Sequence, residues 1–259
     1  KLCDVHSQAL RGVVGEDESL HLPAGHPVDT FKQENRALQL EIAEIENILK
    51  QLKTHSLEQL LPKLKLHFNN LSDVDVHYRR VENLVFPYLE KLGITGPPAV
   101  MWGKHDEIRD LLKAVHEALS VGADTLQDDL EPLIDFVIKP TTAAIEEMIY
   151  KEEKILFPMC VERLSEADWS EIYHSSPEIG FCLYEPQAEW RPQGSTVQQE
   201  RRADAGDVQL PSGSFAVEEL MSVLNTLPID ITFVDKDDKV KYFSQGAHRI
   251  FDRNRSILG

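Results

Sequence analysis

The sequence predicts a mainly α protein, an antiparallel four-helix bundle followed by a short α/β segment. Three observations carry that prediction. Residues up to about 164 fall into four long stretches whose apolar residues recur at spacings of three and four, as on the buried stripe of a helix. The connections between them are short, which favours antiparallel neighbours. Beyond about residue 215 a short helical pattern gives way to alternating apolar residues, the period of a half-buried strand.

The first stretch, DTFKQENRALQLEIAEIENILKQLK (29–53), carries Leu38, Ile42, Ile45, Leu49 and Leu52 on one face, with Asp29 placed to cap its start. The second runs from about Ser56 to Lys91, with Pro62 near its beginning and Gly93 at its exit. GITGPP (93–98) is a turn. The third spans about Ala99 to Ser120, and VGADTLQDD breaks its pattern. The fourth reaches about Leu164 and should bend at Pro140, which has no N–H to donate.

SEADWSEIYHSSPEIGFCLYEPQAEW then reads as a short helix and an extended segment. Residues 191–214, rich in Gly, Pro, Gln and Ser, read as a linker. VEELMSVLNTLPID is a helix, and ITFVDKDDKVKYFS is a β-hairpin turning on Asp-Lys-Asp-Asp. The expected divisions are therefore 1–20, 21–165 for the bundle, 166–214 for the connecting region, and 215–259.

Composition narrows the function. With 259 residues, 42% hydrophobic and 27% charged, the chain can build one large or two modest cores. A formal charge of −17 argues against nucleic acid and anionic membrane as partners, since both require basic patches. No run approaches the roughly 18–20 apolar residues of a membrane span. Cys3, Cys160 and Cys182 are odd in number, widely spaced and without a CxxC, which suits reduced thiols in a cytoplasmic protein. The chain opens on Lys1 with no signal peptide, as an excised fragment would.

One motif occurs twice. HYRRVENLVFP (77–87) returns as MIYKEEKILFP (148–158), pairing Glu82 with Glu153 and Phe86 with Phe157, but setting His77 opposite Met148. Each helix or its entry offers an imidazole or a carboxylate: His26 before the first, His77 and Glu82 on the second, His105 on the third, Glu152 and Glu153 on the fourth. Nitrogen and carboxylate ligands converging in a bundle are what di-iron and di-manganese proteins use. Spacing alone does not separate a metal site from ordinary salt bridges. His77 and Glu82 lie about 140° apart around a regular helix, so they could flank a centre but not stack. Arg109 lies about 40° round from His105, one turn later, where it could pair with Glu82 or Glu153 behind a ligand set or form a surface bridge.

HPVDTFKQEN, HYRRVENLVFPYLEKLGITGPPAVMWGKHDEIR and YKEEKILFPM resemble the hemerythrin-like (HHE cation-binding) domains of bacterial regulatory proteins. They look most like the subgroup in the domain-of-unknown-function family numbered 438, in which a small helical domain, a hemerythrin-like bundle and a PAS domain follow one another. KLCDVHSQALRG (1–12) is similar to the end of that first module, and LPIDITFVDKDDKVKYFSQGAHRIFDR (227–253) to the start of the PAS module, here cut short.

The resemblance implies a metal centre, two non-haem irons, with manganese or zinc also compatible with the ligand types. Its ligands would be His26, His77, Glu82, His105 and Glu153, with Glu152 the close alternative to Glu153. Departures are visible. Val81 stands four residues after His77, where hemerythrins commonly place Glu. Arg109 stands where the second histidine of an HxxxH pair would be, and Met148 where a histidine is expected. His6 is the first candidate to complete the set, and Met148, with Met101, Phe86 and Phe157, would keep the pocket dry. The implied function is a sensor of O2, NO or redox state that signals through the PAS module, with a diatomic ligand and a homodimer formed through PAS. The alternatives are a di-iron enzyme acting on peroxide or NO, ranked lower because no second substrate pocket is evident, and a metal-free interaction module.

Overall fold

The computed structural model describes residues 22–192, 207–210, 213–245 and 258. The segment 1–21, including His6 and the expected end of a preceding module, lies outside them, as does most of the 191–214 linker. The described residues fall into two compact units, the first within Lys1–Ser195 and the second within Thr196–Gly259.

The first unit is the helical bundle. Helix α1 (Pro27–Gln51) begins with proline at its first position and is capped by His26, whose Nδ1 accepts from the Val28 N–H. Asp29, expected as the cap, sits in the first turn and accepts from the Gly25 N–H instead. The buried stripe of α1 runs Val28, Phe31, Leu38, Ile42, Ile45 and Ile48, while Leu49 and Leu52 are only partly covered. At its centre the stripe carries Glu34 and Asn35, both fully buried.

The second long helix is broken once. α2 (Leu57–Leu71) packs on α1 and ends where the Ser72 hydroxyl donates to the Phe68 carbonyl, competing with the backbone ladder. α3 (Val74–Arg80) restarts, passes through a π turn at Val81–Val85 and continues as α4 (Phe86–Lys91). α5 (Gly96–Ser120) is the third long helix. Short α6 (Ala123–Leu126) and α7 (Leu130–Leu133) lead through a π turn at Ile134–Ile138 into α8 (Lys139–Lys151), and a further π turn at Glu152–Leu156 leads into α9 (Phe157–Arg163).

All three π turns stand just before a proline. Phe86, Lys139 and Phe157 donate to carbonyls five residues back, and Pro87, Pro140 and Pro158 follow them. Proline lacks the N–H of a regular helix, and its ring crowds the carbonyl four residues earlier. The wider turn relieves that crowding without breaking the helix. The expected bend at Pro140 is therefore one widened turn, and the two copies of the repeated motif share the same device.

α10 (Glu166–Ile179) is closed at its start by a capping box between Ser165 and Asp168. Gly180, with φ +102°, then turns the chain back into a strap, Gly180–Trp190, lying on the bundle.

The second unit holds β1 (Val208–Leu210) paired antiparallel with β2 (Gly213–Phe215), α11 (Val217–Thr226), and β3 (Thr232–Val234) paired antiparallel with β4 (Val240–Phe243). The β1–β2 hairpin occupies residues read from the sequence as linker. Its strands are only three residues long, too short for periodicity to register. The β3–β4 hairpin turns through Asp238, with φ +58°. The fold is thus mainly helical, a four-helix bundle followed by a small region with two antiparallel strand pairs.

Candidate metal centre

Two histidine–carboxylate–arginine clusters lie inside the bundle. In the first, His77 is fully buried between two acids. Its Nδ1 meets Glu34 Oε2 at 2.8 Å, and its Nε2 faces both oxygens of Glu152 at 3.1 and 3.2 Å. Arg80 forks onto Glu34 at 2.8 and 3.0 Å, and the Cys182 N–H donates to Glu34 Oε1 at 2.8 Å. The Asn35 amide donates to Glu152 Oε2 at 3.1 Å. Burial opposes a charge on His77, but Glu152 and Glu34 outweigh it and raise the imidazole to about 9.

In the second cluster, His105 Nδ1 meets Glu82 Oε1 at 2.8 Å, and Arg109 forks over both oxygens of Glu82 at 3.0 and 2.9 Å. Arg109 also reaches Asp75 and Asp106, each at 2.8 Å. Burial alone would raise Glu82, yet the hydrogen bonds from His105 and Arg109 prevail and hold it below the usual carboxylate range. Tyr78 lies between the clusters. Its ring stacks on His105 with centroids 3.9 Å apart and meets His77 edge-on at 5.9 Å. Burial, reinforced by Glu152, keeps its phenol well above its ordinary pKa.

The placement of the expected site residues is uneven. His77, Glu152, Glu82, His105 and Arg109 all point inward, with His77 and Glu82 serving different clusters. Of the two acids on the fourth helix, Glu152 enters the cluster. Glu153 is half-buried among Asn35, Lys32 and Arg36 of α1, and burial raises its pKa. Glu82, by contrast, faces His105 and Arg109 of α5, so Glu82 and Glu153 do not form the pair that the repeat suggested. His26 lies at the entry of α1, where its Nδ1 serves as the cap. It precedes Glu34 by eight residues, about 12 Å of helix axis, and its ring packs against Trp169 at 4.9 Å and Trp190 at 4.8 Å. Burial lowers it to about 4 despite Asp29, so it stays neutral. Met148 is buried one turn before Glu152 and lines a cleft of about 180 Å³ with Lys104, Ile108, Glu147 and Lys151.

Glu34 and Asn35 were missed from sequence. Their signal was present in register: in a stripe of otherwise apolar residues, 34 and 35 fall where a hydrophobic residue belongs, and the chain places an acid and an amide there.

Do these residues suit a cation? Among the described residues, four buried polar atoms of the bundle have no hydrogen-bond partner: Asn35 Oδ1, Tyr78 Oη, Arg80 Nε and His105 Nε2. Three of them are donor types that metals take: Asn35 bonds Glu152, Tyr78 meets His77 edge-on, and His105 stacks on Tyr78. Both histidines also have Nδ1 fixed by a carboxylate, the support that orients an imidazole to present Nε2. Among the described residues no three His, Cys, Asp or Glu side chains are grouped closely enough to make a ready cage. The donor chemistry therefore fits one cation at His77 and Glu152. At the second cluster both oxygens of Glu82 are already engaged by Arg109.

Buried imidazoles set against carboxylates are the donor types that cation-binding bundles use. The sequence profile of the hemerythrin HHE cation-binding domain matches residues 26–160, just over half of the chain, and that of a PAS domain matches 220–259. The chain belongs to the hemerythrin HHE cation-binding family. No curated protein matches it.

Proposed function

We propose that this protein is a metal-dependent sensor whose hemerythrin-like bundle reports to its PAS module, as the resemblance to family 438 implies. One observation carries the reading: the buried His77 Nε2 faces both oxygens of Glu152, and Asn35 and Tyr78, which touch that pair, each carry an unpartnered oxygen. His77 and Glu152 hold the cation, with Tyr78, Asn35 and His105 available to complete it. Glu34 orients His77 through Nδ1, while Asn35 fixes one oxygen of Glu152. Iron bound there supplies a redox-active centre able to take O2 or NO. Phe31, stacked on Phe157 at 5.5 Å and set edge-on to His77 at 5.0 Å, keeps bulk water away. The PAS region is the natural seat of a homodimer, and the setting is cytoplasmic.

A second reading has its own observation. Glu34 and Glu82 are already paired by Arg80 and Arg109, so much of the buried charge is balanced without a cation, as a metal-free interaction module would require. Elemental analysis of full-length protein purified without oxygen separates the two. Iron near one per chain supports the sensor, near two supports the full di-iron form, and a folded bundle with no stoichiometric metal leaves the interaction module.

A further inference from the structure

The strap Gly180–Trp190 is fastened to the bundle at both ends. At its start the Cys182 N–H donates to Glu34, and the Gly180 carbonyl accepts from Arg80. At its far end Gly25, with φ +82°, lets Ala188 approach so closely that a β-carbon at 25 would lie 2.3 Å from the Ala188 carbonyl oxygen. Trp190 closes on His26 and Tyr173. Between these fastenings, bordered by α1, α3, α10 and the strap, lies a cavity of about 400 Å³, within the usual size of a small-molecule site. His77 and Glu152 do not line it, although Arg80 belongs both to it and to their cluster.

Arg80 brings an unfinished set of hydrogen bonds to this cavity. Its side chain is 1% exposed, and a guanidinium carries five N–H donors in one plane. Nη1 uses two of them, on Glu34 Oε1 and the Gly180 carbonyl, and Nη2 uses one, on Glu34 Oε2. That leaves the second N–H of Nη2 and the N–H of Nε, which run parallel along one edge of the group. Among the described residues Nε has no acceptor, and an unsatisfied buried donor is costly. Glu34 and Phe31 do not line the cavity, whereas Phe181, on the other face of the guanidinium, does. Arg80 therefore meets the cavity on the side turned away from its fork.

We propose that this cavity is a binding site for an uncharged planar heterocycle with two adjacent acceptors, such as the O6/N7 edge of an oxopurine. Two parallel N–H donors match two adjacent acceptors in one plane. A carboxylate has the same spacing, but it would bring a second negative charge beside buried Glu34, which already balances Arg80. Glu185 at the mouth adds to that repulsion. The demand for a flat ring comes from the walls: Tyr173 and Phe181 offer aromatic side chains, and Pro177 and Pro186 apolar surface. The site needs no metal at His77 and Glu152, so it stands whether or not the sensor reading does.

The test is titration of the full chain with inosine while the backbone amide signals of the strap and α10 are followed by NMR. Adenosine, which has an amino donor where inosine has O6, and benzoate, which has two acceptors and a charge, are the comparisons. Inosine should give saturable shifts confined to those segments and to the residues around Arg80, with adenosine and benzoate at least about tenfold weaker. F181L, which removes a stacking ring from a half-buried position, should weaken inosine by about fivefold. R80K, which keeps the charge and loses the planar edge, should abolish the response. Absence of saturable shifts with inosine, binding of adenosine or benzoate as tight as that of inosine, or unaltered binding in F181L would each overturn the proposal. If R80K does not fold, the three probes and F181L decide.

Discussion

Replacing Arg80 by Met tests whether the first cluster is held together as its geometry indicates. Arg80 and Glu34 have side-chain exposures of 1% and 0%, so R80M leaves a carboxylate in the core with only His77 and one backbone N–H as donors. Breaking a buried pair from one side typically costs about 3–5 kcal/mol, a large share of the roughly 5–15 kcal/mol that stabilises a domain. With a urea slope of about 2–3 kcal/mol/M, the midpoint should fall by about 1–2 M. Arg109 is 27% exposed and shares its charge with half-exposed Asp75, so R109M should cost less, about 1–2 kcal/mol. Adding E34Q to R80M should cost clearly less than the sum of the two single changes, because the second removes the stranded charge created by the first. Equilibrium urea unfolding of the metal-free proteins measures all four. An R80M cost below about 1 kcal/mol, or strict additivity with E34Q, would show that the fork is not the anchor described.

Two further outcomes follow from the same geometry. His26 is held at about 4, below its unfolded value, so its stabilising effect is complete above about pH 6.5 and is lost as pH falls toward 4. At pH 5 the loss is about 2 kcal/mol; H26N, which keeps a capping acceptor but cannot titrate there, should show a correspondingly smaller fall in urea midpoint between pH 7 and pH 5, and an equal fall would contradict the burial argument. E152Q, which keeps the shape of the side chain but loses the charge facing His77, should lower iron affinity by at least about tenfold while circular dichroism stays helical; unchanged iron binding would move the site elsewhere.

The bundle was legible because its helices obey a period, and the period is set by burial. What was not legible had local causes. The break at Ser72 depends on a hydroxyl choosing a backbone carbonyl, and the π turns depend on how each proline's strain is relieved. Neither leaves a periodic trace. The site divided along the same line. His77, Glu82, His105 and Glu152 could be named because imidazoles and acids on inward faces are unusual, but which acid enters depends on the turn itself. Glu152 opens its π turn while Glu82 is the second residue of the other. Aligning the copies on Phe-Pro therefore pairs Glu82 with the half-buried Glu153. His26 was ambiguous for a different reason: a histidine at a helix entry can serve as cap, ligand or aromatic packing, and the tryptophans it packs against come from later segments.

The asymmetry of the repeat can be put to a direct test. Met148 stands opposite His77, and Arg109 stands one turn after His105, so the second cluster could be short of a cation for either of two reasons. If the missing imidazole is the cause, M148H should be enough, since position 148 lies one turn from Glu152 on the same side of the helix. The geometry argues otherwise. Both oxygens of Glu82 are occupied by the Arg109 fork, and a guanidinium will not give up a partly buried carboxylate to a neighbouring cation. Iron should therefore remain near one per chain in M148H and approach two only when R109H is added, which frees Glu82 and supplies a further nitrogen. Two irons in M148H alone would mean that the arginine yields readily. Two in the unaltered protein would mean that the bundle rearranges around its metals, and the single-cation assignment would fall with it.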